Sequence, residues 1–385
     1  MSGAAVDMSS GRASRTGRDD GGETPRGDDP VGPTSAEGTA SRVAAALTGP
    51  LSAVVIPVAA VVVALAIGAV LIVSEGQPPL AVYRTVLTGA VDDGRALADV
   101  ATAATPLILI GLGYAVAYRA RVFTIGAEGQ YLVGALAAVA AVTAPGLAAL
   151  PAGLLVALGL TVSALVGGLW SGLAGWLTVR FGASVVISSL MLVYIGSALL
   201  QWGVRDGVRD DDSFVPATPD VGPASLPAVG HTHLGFVLAI GLALTLAALL
   251  ARHRTGFRIT ALGLNREAVD ANEVRSTRVV LGVMLAAGAL AGVAGFVEVA
   301  GVTGRLNGDS SVGFGWEAII VALLGRLQPL GVAVAGLGLA GLTIGFEASQ
   351  RQYDLPSSLI GVITALIVVF VVLGDALAER LAPEG

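Results

Sequence analysis

Cysteine is absent from the 385 residues, which excludes disulfides, thiolate chemistry and cysteine-bound metals. Lysine is absent too: all 22 basic residues are arginines. A phosphate loop of the form GxxxxGK(S/T) sets its lysine on the β- and γ-phosphates, so the chain holds no such ATP site and ATP-driven work needs another subunit. Histidine occurs only three times. His231 and His233 share one polar loop without further ligands, so neither a metal nor another cofactor is expected. Charge is equally scarce, at 13% of residues against 54% hydrophobic.

Scarce charge leaves long apolar runs, such as Val54 to Val73 and Ile360 to Leu373, with none of the polar stripe that a helix of a soluble protein carries. Runs near ~20 residues cross ~30 Å of hydrocarbon. The expected fold class is therefore all-α, a polytopic integral membrane protein. Arginine-only basicity accompanies a chain rich in Ala, Gly and Val and implies no nucleic-acid binding.

Residues 1–45 are rich in Gly, Ser, Asp, Arg, Thr and Pro, the composition of a disordered tail, expected on the cytoplasmic side. Residues 46–380 form the transmembrane domain. Its apolar segments run Pro50–Val73, Val100–Ala117, Gly126–Val142, Ala152–Val179, Ser184–Trp202, Leu234–Leu250, Val279–Gly301, Trp316–Leu324, Leu330–Phe346 and Ser357–Leu373. Ser74 to Asp99 reads as a polar connection, and Val204 to His233 is the longest internal polar stretch. Gly168, Gly172 and Gly175 fall at helical spacing and suit close helix packing. About ten transmembrane helices are expected, or nine if the short piece at Trp316 is re-entrant. Ten spans with a cytoplasmic N-terminus put Arg119, Arg121, Arg180 and the six arginines from Arg252 to Arg278 inside, as the positive-inside rule favours; Arg351 is a local violation.

One segment is too polar to span. The stretch Thr255 to Ala268, within the loop 252–278, reads as a short amphipathic helix at a membrane face. Phe257, Ile259, Ala261, Leu262 and Leu264 give it an apolar side, and Arg258, Asn265, Arg266 and Glu267 a polar one, so it suits a docking partner.

Two stretches carry a family resemblance. Phe123-Thr124-Ile125-Gly126-Ala127-Glu128-Gly129-Gln130 resembles the FNIGAEGQ signature of permease subunits of ATP-binding-cassette (ABC) importers, in the nucleoside and simple-sugar branch of the branched-chain amino acid/ribose permease family. Gly256, Gly263-Leu264-Asn265 and Ala268, then Gly288, Gly292 and Gly295, then Gly313-Phe314-Gly315-Trp316-Glu317 through Gly325 and Pro329-Leu330-Gly331, resemble that family's coupling loop, glycine-rich span and GxGF…IAVALLG element. The likeness covers about Pro50 to Arg380. Thr124 departs from the usual asparagine, and Val269 to Glu273 from a more apolar run.

The resemblance implies a non-enzymatic permease in the plasma membrane of a bacterium. Its partners would be ABC ATPase subunits, a second permease subunit (a copy or a paralogue), an external solute-binding protein, a small-molecule solute and the lipid bilayer, with no nucleic acid. Gly256, Arg258, Gly263, Leu264, Asn265, Arg266 and Glu267 would couple to the ATPase. Phe123, Gly126, Glu128, Gly129 and Gln130 would form a motif at the cytoplasmic mouth. Nucleosides are the expected solute, with ribose-like sugars as the alternative.

Blander readings stand beside these. Glu128, at the start of a span, serves either as a helix cap or in gating. Glu298, Glu317 and Glu347 read as solvated residues near outer span ends, and Phe314, Trp316 and Glu317 as candidate pathway lining. A tryptophan there anchors equally well at the interface. Arg258 and Arg266 also serve topology alone. An ion-gradient-driven secondary transporter would want carboxylates at mid-span, an intramembrane protease a histidine within a span or an HExxH motif, and a channel a carbonyl filter or a charged ring; none is evident.

Overall fold

A computed structural model describes residues 52–381, apart from 148, 267, 268, 270–275, 311 and 312. The expected tail at 1–45 therefore lies outside the described residues. Among the described residues twelve α-helices follow one another: α1 (Ser52–Ser74), α2 (Pro79–Gly89), α3 (Gly94–Arg119), α4 (Ala127–Val142), α5 (Ala152–Phe181), α6 (Val185–Trp202), α7 (Leu234–Arg252), α8 (Arg254–Leu264), α9 (Ser276–Glu298), α10 (Phe314–Leu324), α11 (Pro329–Tyr353) and α12 (Ser357–Leu381). The described strands are two-residue pieces, β1 (Ala228–Val229) and β2 (Thr232–His233), paired antiparallel. The protein is a polytopic all-α membrane protein.

The expected count of ten crossings is met only approximately. Among the described residues seven helices are long and apolar enough to span: α3, α5, α6, α7, α9, α11 and α12. An eighth span arises if α1 and α2, bent by 115° at their junction, are taken together. The remaining apolar helices, α4 and α10, have 16 and 11 residues, so α10 extends only ~16 Å and is too short to cross alone. Helix α2 corrects the reading of 74–99 as a plain polar connection. Pro79 occupies its first turn, where the missing N–H costs nothing, and Asp93 caps α3 by accepting from the N–H groups of Arg95 and Ala96 at 2.9 and 2.7 Å.

Helix α3 is the hub, buried from Ala104 to Ala117 and packed against α7, α9, α10 and α11. Beside it α4, α5 and α9 meet at glycines: a side chain on Gly292 would collide with the Ser163 carbonyl and with Gly167, and one on Gly134 with Gly292 itself. Gly168, Gly172 and Gly175 do face a packed helix, α9, through Leu285 and Met284. Such close backbone approach replaces the hydrophobic drive that lipid does not supply. Helices α1, α2, α11 and α12 share a smaller cluster around Ile72, Val82, Phe346 and Ile363.

At one end of the bundle, residues 203–233 are stitched to the segment following α9. Thr218 N–H donates to the Leu306 carbonyl at 2.9 Å and its hydroxyl accepts from Leu306 N–H at 3.0 Å. Leu226 N–H reaches the Ala300 carbonyl at 2.8 Å, and Gln201 Nε2 the Gly308 carbonyl at 2.8 Å. His233 belongs to this seam. Its Nδ1 accepts from Gly235 N–H at 3.1 Å and caps α7, while its buried Nε2 has no partner among the described residues.

Burial lowers the His233 pKa below its usual 6.5. As pH falls through that value the unfolded chain binds more protons than the folded one. The stability supplied by the neutral imidazole is thus present above 6.5 and lost as pH falls towards the depressed folded value. We expect the thermal midpoint of the purified protein to fall between pH 7.5 and 5 by more than in His233→Asn, which keeps an N-cap acceptor but does not titrate; equal slopes would refute the assignment.

Candidate functional site

The turn after α3 leads into the site. Arg121 takes a left-handed conformation, φ 54°, and Val122 to Gly126 then carry no regular structure before α4 starts. Buried backbone outside regular structure needs partners for its polar groups, and side chains supply them here. Tyr118 Oη donates to the Thr124 carbonyl at 2.8 Å, Ile125 N–H donates to Ser189 Oγ at 3.2 Å, and Gly126 N–H donates to Thr124 Oγ1 at 3.3 Å. Thr124 thus supplies an acceptor where the resembled signature has asparagine.

Glu128 follows, only 2% exposed. Its carboxylate oxygens accept from Gly313 N–H at 3.3 Å and from Gly315 N–H at 2.7 Å, at the first turn of α10. A negative charge on the free N–H groups and positive dipole end of a helix is the favourable arrangement. The carboxylate therefore caps a helix, but a distant one in sequence rather than its own. Gly315 permits the approach, since a side chain there would meet the Glu128 backbone, and Gly313 takes the left-handed conformation, φ 90°. Tyr131 and Phe314 close the junction edge to face, with ring centroids 6.0 Å apart.

From Glu128, α10 runs ~16 Å to a tight turn in which Arg326 and Leu327 are both left-handed, φ 52° and 56°. Left-handed non-glycine residues cost ~1–2 kcal/mol each, so other contacts must fix this turn. One is Arg119, whose Nε donates to the Leu327 carbonyl at 2.9 Å. The Arg119 carbonyl in turn lies against Gly263 of α8, so closely that any Cβ at 263 would overlap it. One arginine thus joins the end of α3, the end of α10 and the amphipathic helix.

Helix α8 is held from both ends, by Gly256 on the backbone of Leu249 and Leu250 and by Gly263 on Arg119. Ile259 and Leu262 point into the protein, whereas Phe257 and Leu264 are 74% and 76% exposed. The single apolar side expected for this helix is therefore split between an anchoring face and a free one. Arg258, Asn265 and Arg266 are exposed, and Arg266 Nε lies 3.3 Å from Ser276 Oγ. Glu267 lies outside the described residues.

The structure thus brings Gly126, Glu128, Gly129 and Gln130 together with Phe314, Gly315, Trp316 and Glu317. Within the first set Gly126, Glu128, Gly129 and Gln130 are buried, Gly129 against Leu192 and Val193 of α6. Phe123 is exposed and packs on Tyr118 with centroids 5.2 Å apart. Trp316 and Glu317 are exposed on α10. Arg119 and Tyr118 were missed as site residues. Arg119, a polar group at a span end beside the signature, was read only as topology, and Tyr118 was not singled out.

The branched-chain amino acid transport system permease component family matches residues 96–372. The chain is 30% identical to a glucose ABC transporter permease protein of Haloferax volcanii, over 83% of this chain and 87% of that one. It is 30% identical to a guanosine ABC transporter permease protein of Bacillus subtilis, over 83% and 93%, and 27% identical to a nucleoside ABC transporter permease protein of Lactococcus lactis, over 83% and 90%. No solved structure matches.

If the carboxylate organises this junction, Glu128→Ala leaves two N–H groups unpaired at a buried helix start, costing ~1–3 kcal/mol each before relaxation. Gly315→Ala should produce the same defect sterically. Both variants are expected to lower the thermal midpoint and solute uptake, with Glu128→Gln, which keeps one acceptor oxygen, in between. Wild-type behaviour of Glu128→Ala would remove the carboxylate from the account.

Proposed function

The chain belongs to the branched-chain amino acid transport system permease family, and from that premise we propose that it forms part of the pathway by which an ABC importer carries nucleosides. As a permease subunit it is a multi-pass protein of the plasma membrane and not itself an ATPase; the family works with ATPase and substrate-binding protein partners. The observation that carries the coupling reading is α8, anchored through Gly263 while Phe257 and Leu264 remain exposed. An amphipathic helix with a free apolar edge and flanking arginines suits a groove on an ATPase. On this reading the arginine-rich face is cytoplasmic. The chain's lack of lysine accords with a separate ATPase.

The exposed acid on α10 supports a pathway beside that helix. Glu317 lies on an otherwise apolar helix, roughly 10 Å from its Leu324 end, and an ionisable group at such depth faces water or protein rather than lipid. Trp316 beside it offers an aromatic face to a base or a sugar ring. Nucleosides rest on the Phe123–Gln130 resemblance and on the guanosine and nucleoside relatives. The glucose relative favours a second reading, a simple sugar. The gradient-driven alternative is set aside by the family.

Two experiments test this. Gentle affinity purification from native membranes should recover an ATPase subunit in near-equal amount, and Phe257→Asp/Leu264→Asp should lose it; a well-folded chain that never retains an ATPase would sink the coupling reading. The natural absence of cysteine makes single-cysteine labelling clean. Trp316→Cys and Glu317→Cys should react with a water-soluble maleimide and be protected by the transported solute, whereas Val369→Cys, exposed midway along α12, should not react. Equal inertness of all three would place α10 against lipid and refute the pathway.

A further inference from the structure

A cleft of about 600 Å³ opens between α7 and α9 and is lined by residues from both, with Val116 of α3 and Arg258 and Ile259 of α8. Both long helices pack on α3 and hardly touch each other. Helix α8 closes the cleft at the arginine-rich end. The position of Gly282 shows how open the side is, since a Cβ there would meet no atom within 4 Å.

The lining is divided by chemistry. Arg258 and Arg278 stand at the α8 end, both exposed and with no ion-pair partner among the described residues. Among the described residues no Asp or Glu lines the cleft. Away from them the walls are apolar, with Leu246 on one side and Val283 and Leu290 on the other. Arg278 and Leu290 lie about 18 Å apart along α9 at ~1.5 Å per residue. One leaflet's hydrocarbon is ~15 Å thick, half of ~30 Å.

We propose that this cleft is a binding site for an anionic phospholipid, its phosphate held by Arg258 and Arg278 and one acyl chain lying along Gly282, Val283 and Leu290. Charge and length select that occupant together. Two guanidiniums with no acid beside them among the described residues attract an anion, and the apolar trench continues from them for the depth of one leaflet. A free phosphate would leave the trench empty, and a zwitterionic lipid would gain less from the arginines. The site also has a consequence for coupling, because Arg258 belongs to α8: the lipid would bridge the amphipathic helix to the start of α9.

The test uses the full-length purified permease, delipidated in detergent and titrated with phosphatidylglycerol or phosphatidylcholine, with retained lipid counted by native mass spectrometry. Phosphatidylglycerol should be retained over phosphatidylcholine. Arg258→Gln/Arg278→Gln should weaken its retention roughly tenfold or more, and Gly282→Leu, which fills the trench from its open side, should weaken it without loss of charge. Excess inorganic phosphate should not displace the lipid. Equal retention of the two lipids, displacement by phosphate, or loss in the arginine variant alone would each overturn the proposal, the last by reducing it to surface attraction. None of these readouts involves the ATPase or transport, so failure here is distinct from failure of the importer reading.

Discussion

A helix that starts against buried protein needs acceptors for its first N–H groups, and the structure around α10 follows from meeting that need with a carboxylate. Glu128 accepts from Gly313 and Gly315 N–H groups, and the local sequence bends to bring it there. The chain must leave α3, cross Val122 to Gly126 without helix, and begin α4 beside α10. Each step consumes polar side chains of neighbours: Tyr118, Ser189 and Thr124. An ordinary spanning helix at this position would satisfy its own backbone and need none of them. Irregular backbone at membrane depth is tolerated where it is buried in protein or lines a cavity, and the exposed Trp316 and Glu317 lie on the first turn beyond the capped start.

The rest of the core keeps that junction in place through close packing rather than polar contacts. Ser163, Gly167, Gly288 and Gly292 bring α5 and α9 to backbone contact, and Gly134 brings α4 onto both. Because the side chains are missing at the contact, small shifts of one helix transmit directly to the next. The long polar connection 203–233 lies at one end of the bundle, where hydrogen bonds from Thr218, Gln201 and Leu226 secure it. The half-exposed pairs from Arg305 to Asp210 and Asp220, 3.7 and 3.8 Å long, add little.

Much of this was legible in the sequence, and what was not has physical reasons. Apolar length located the spanning helices, and amphipathic spacing located α8 to within a few residues. Both are one-dimensional signals. The Glu128 to Gly315 contact joins residues 187 positions apart, and no periodicity reports such a pairing. Each motif was visible alone, and a carboxylate at a helix start suggested a cap, yet the helix it caps is not the one it begins. Helix α2 was hidden by Pro78-Pro79, which reads as a break when the second proline in fact opens a helix. The two-sided burial of α8 was hidden because spacing separates apolar from polar faces but does not say which apolar residues the fold already uses.

Arg119 shows how the two recognisable motifs become one mechanical unit. Its carbonyl is the floor on which Gly263 rests, and its Nε holds the Leu327 carbonyl at the far end of the helix that Glu128 caps. A displacement of α8 therefore has nowhere to dissipate locally: Gly263 has no side chain to flex, and the receiving group is the backbone of α3. The turn at Arg326 and Leu327 holds two left-handed residues, a strained conformation that persists only while its surroundings impose it. The Arg119 bond to the Leu327 carbonyl is one of the contacts that impose it. The helix that carries the exposed Phe257 and Leu264 is thus linked to the end of α10 through one carbonyl and one guanidinium, and glycine stands at 263 because any larger residue would separate the two helices.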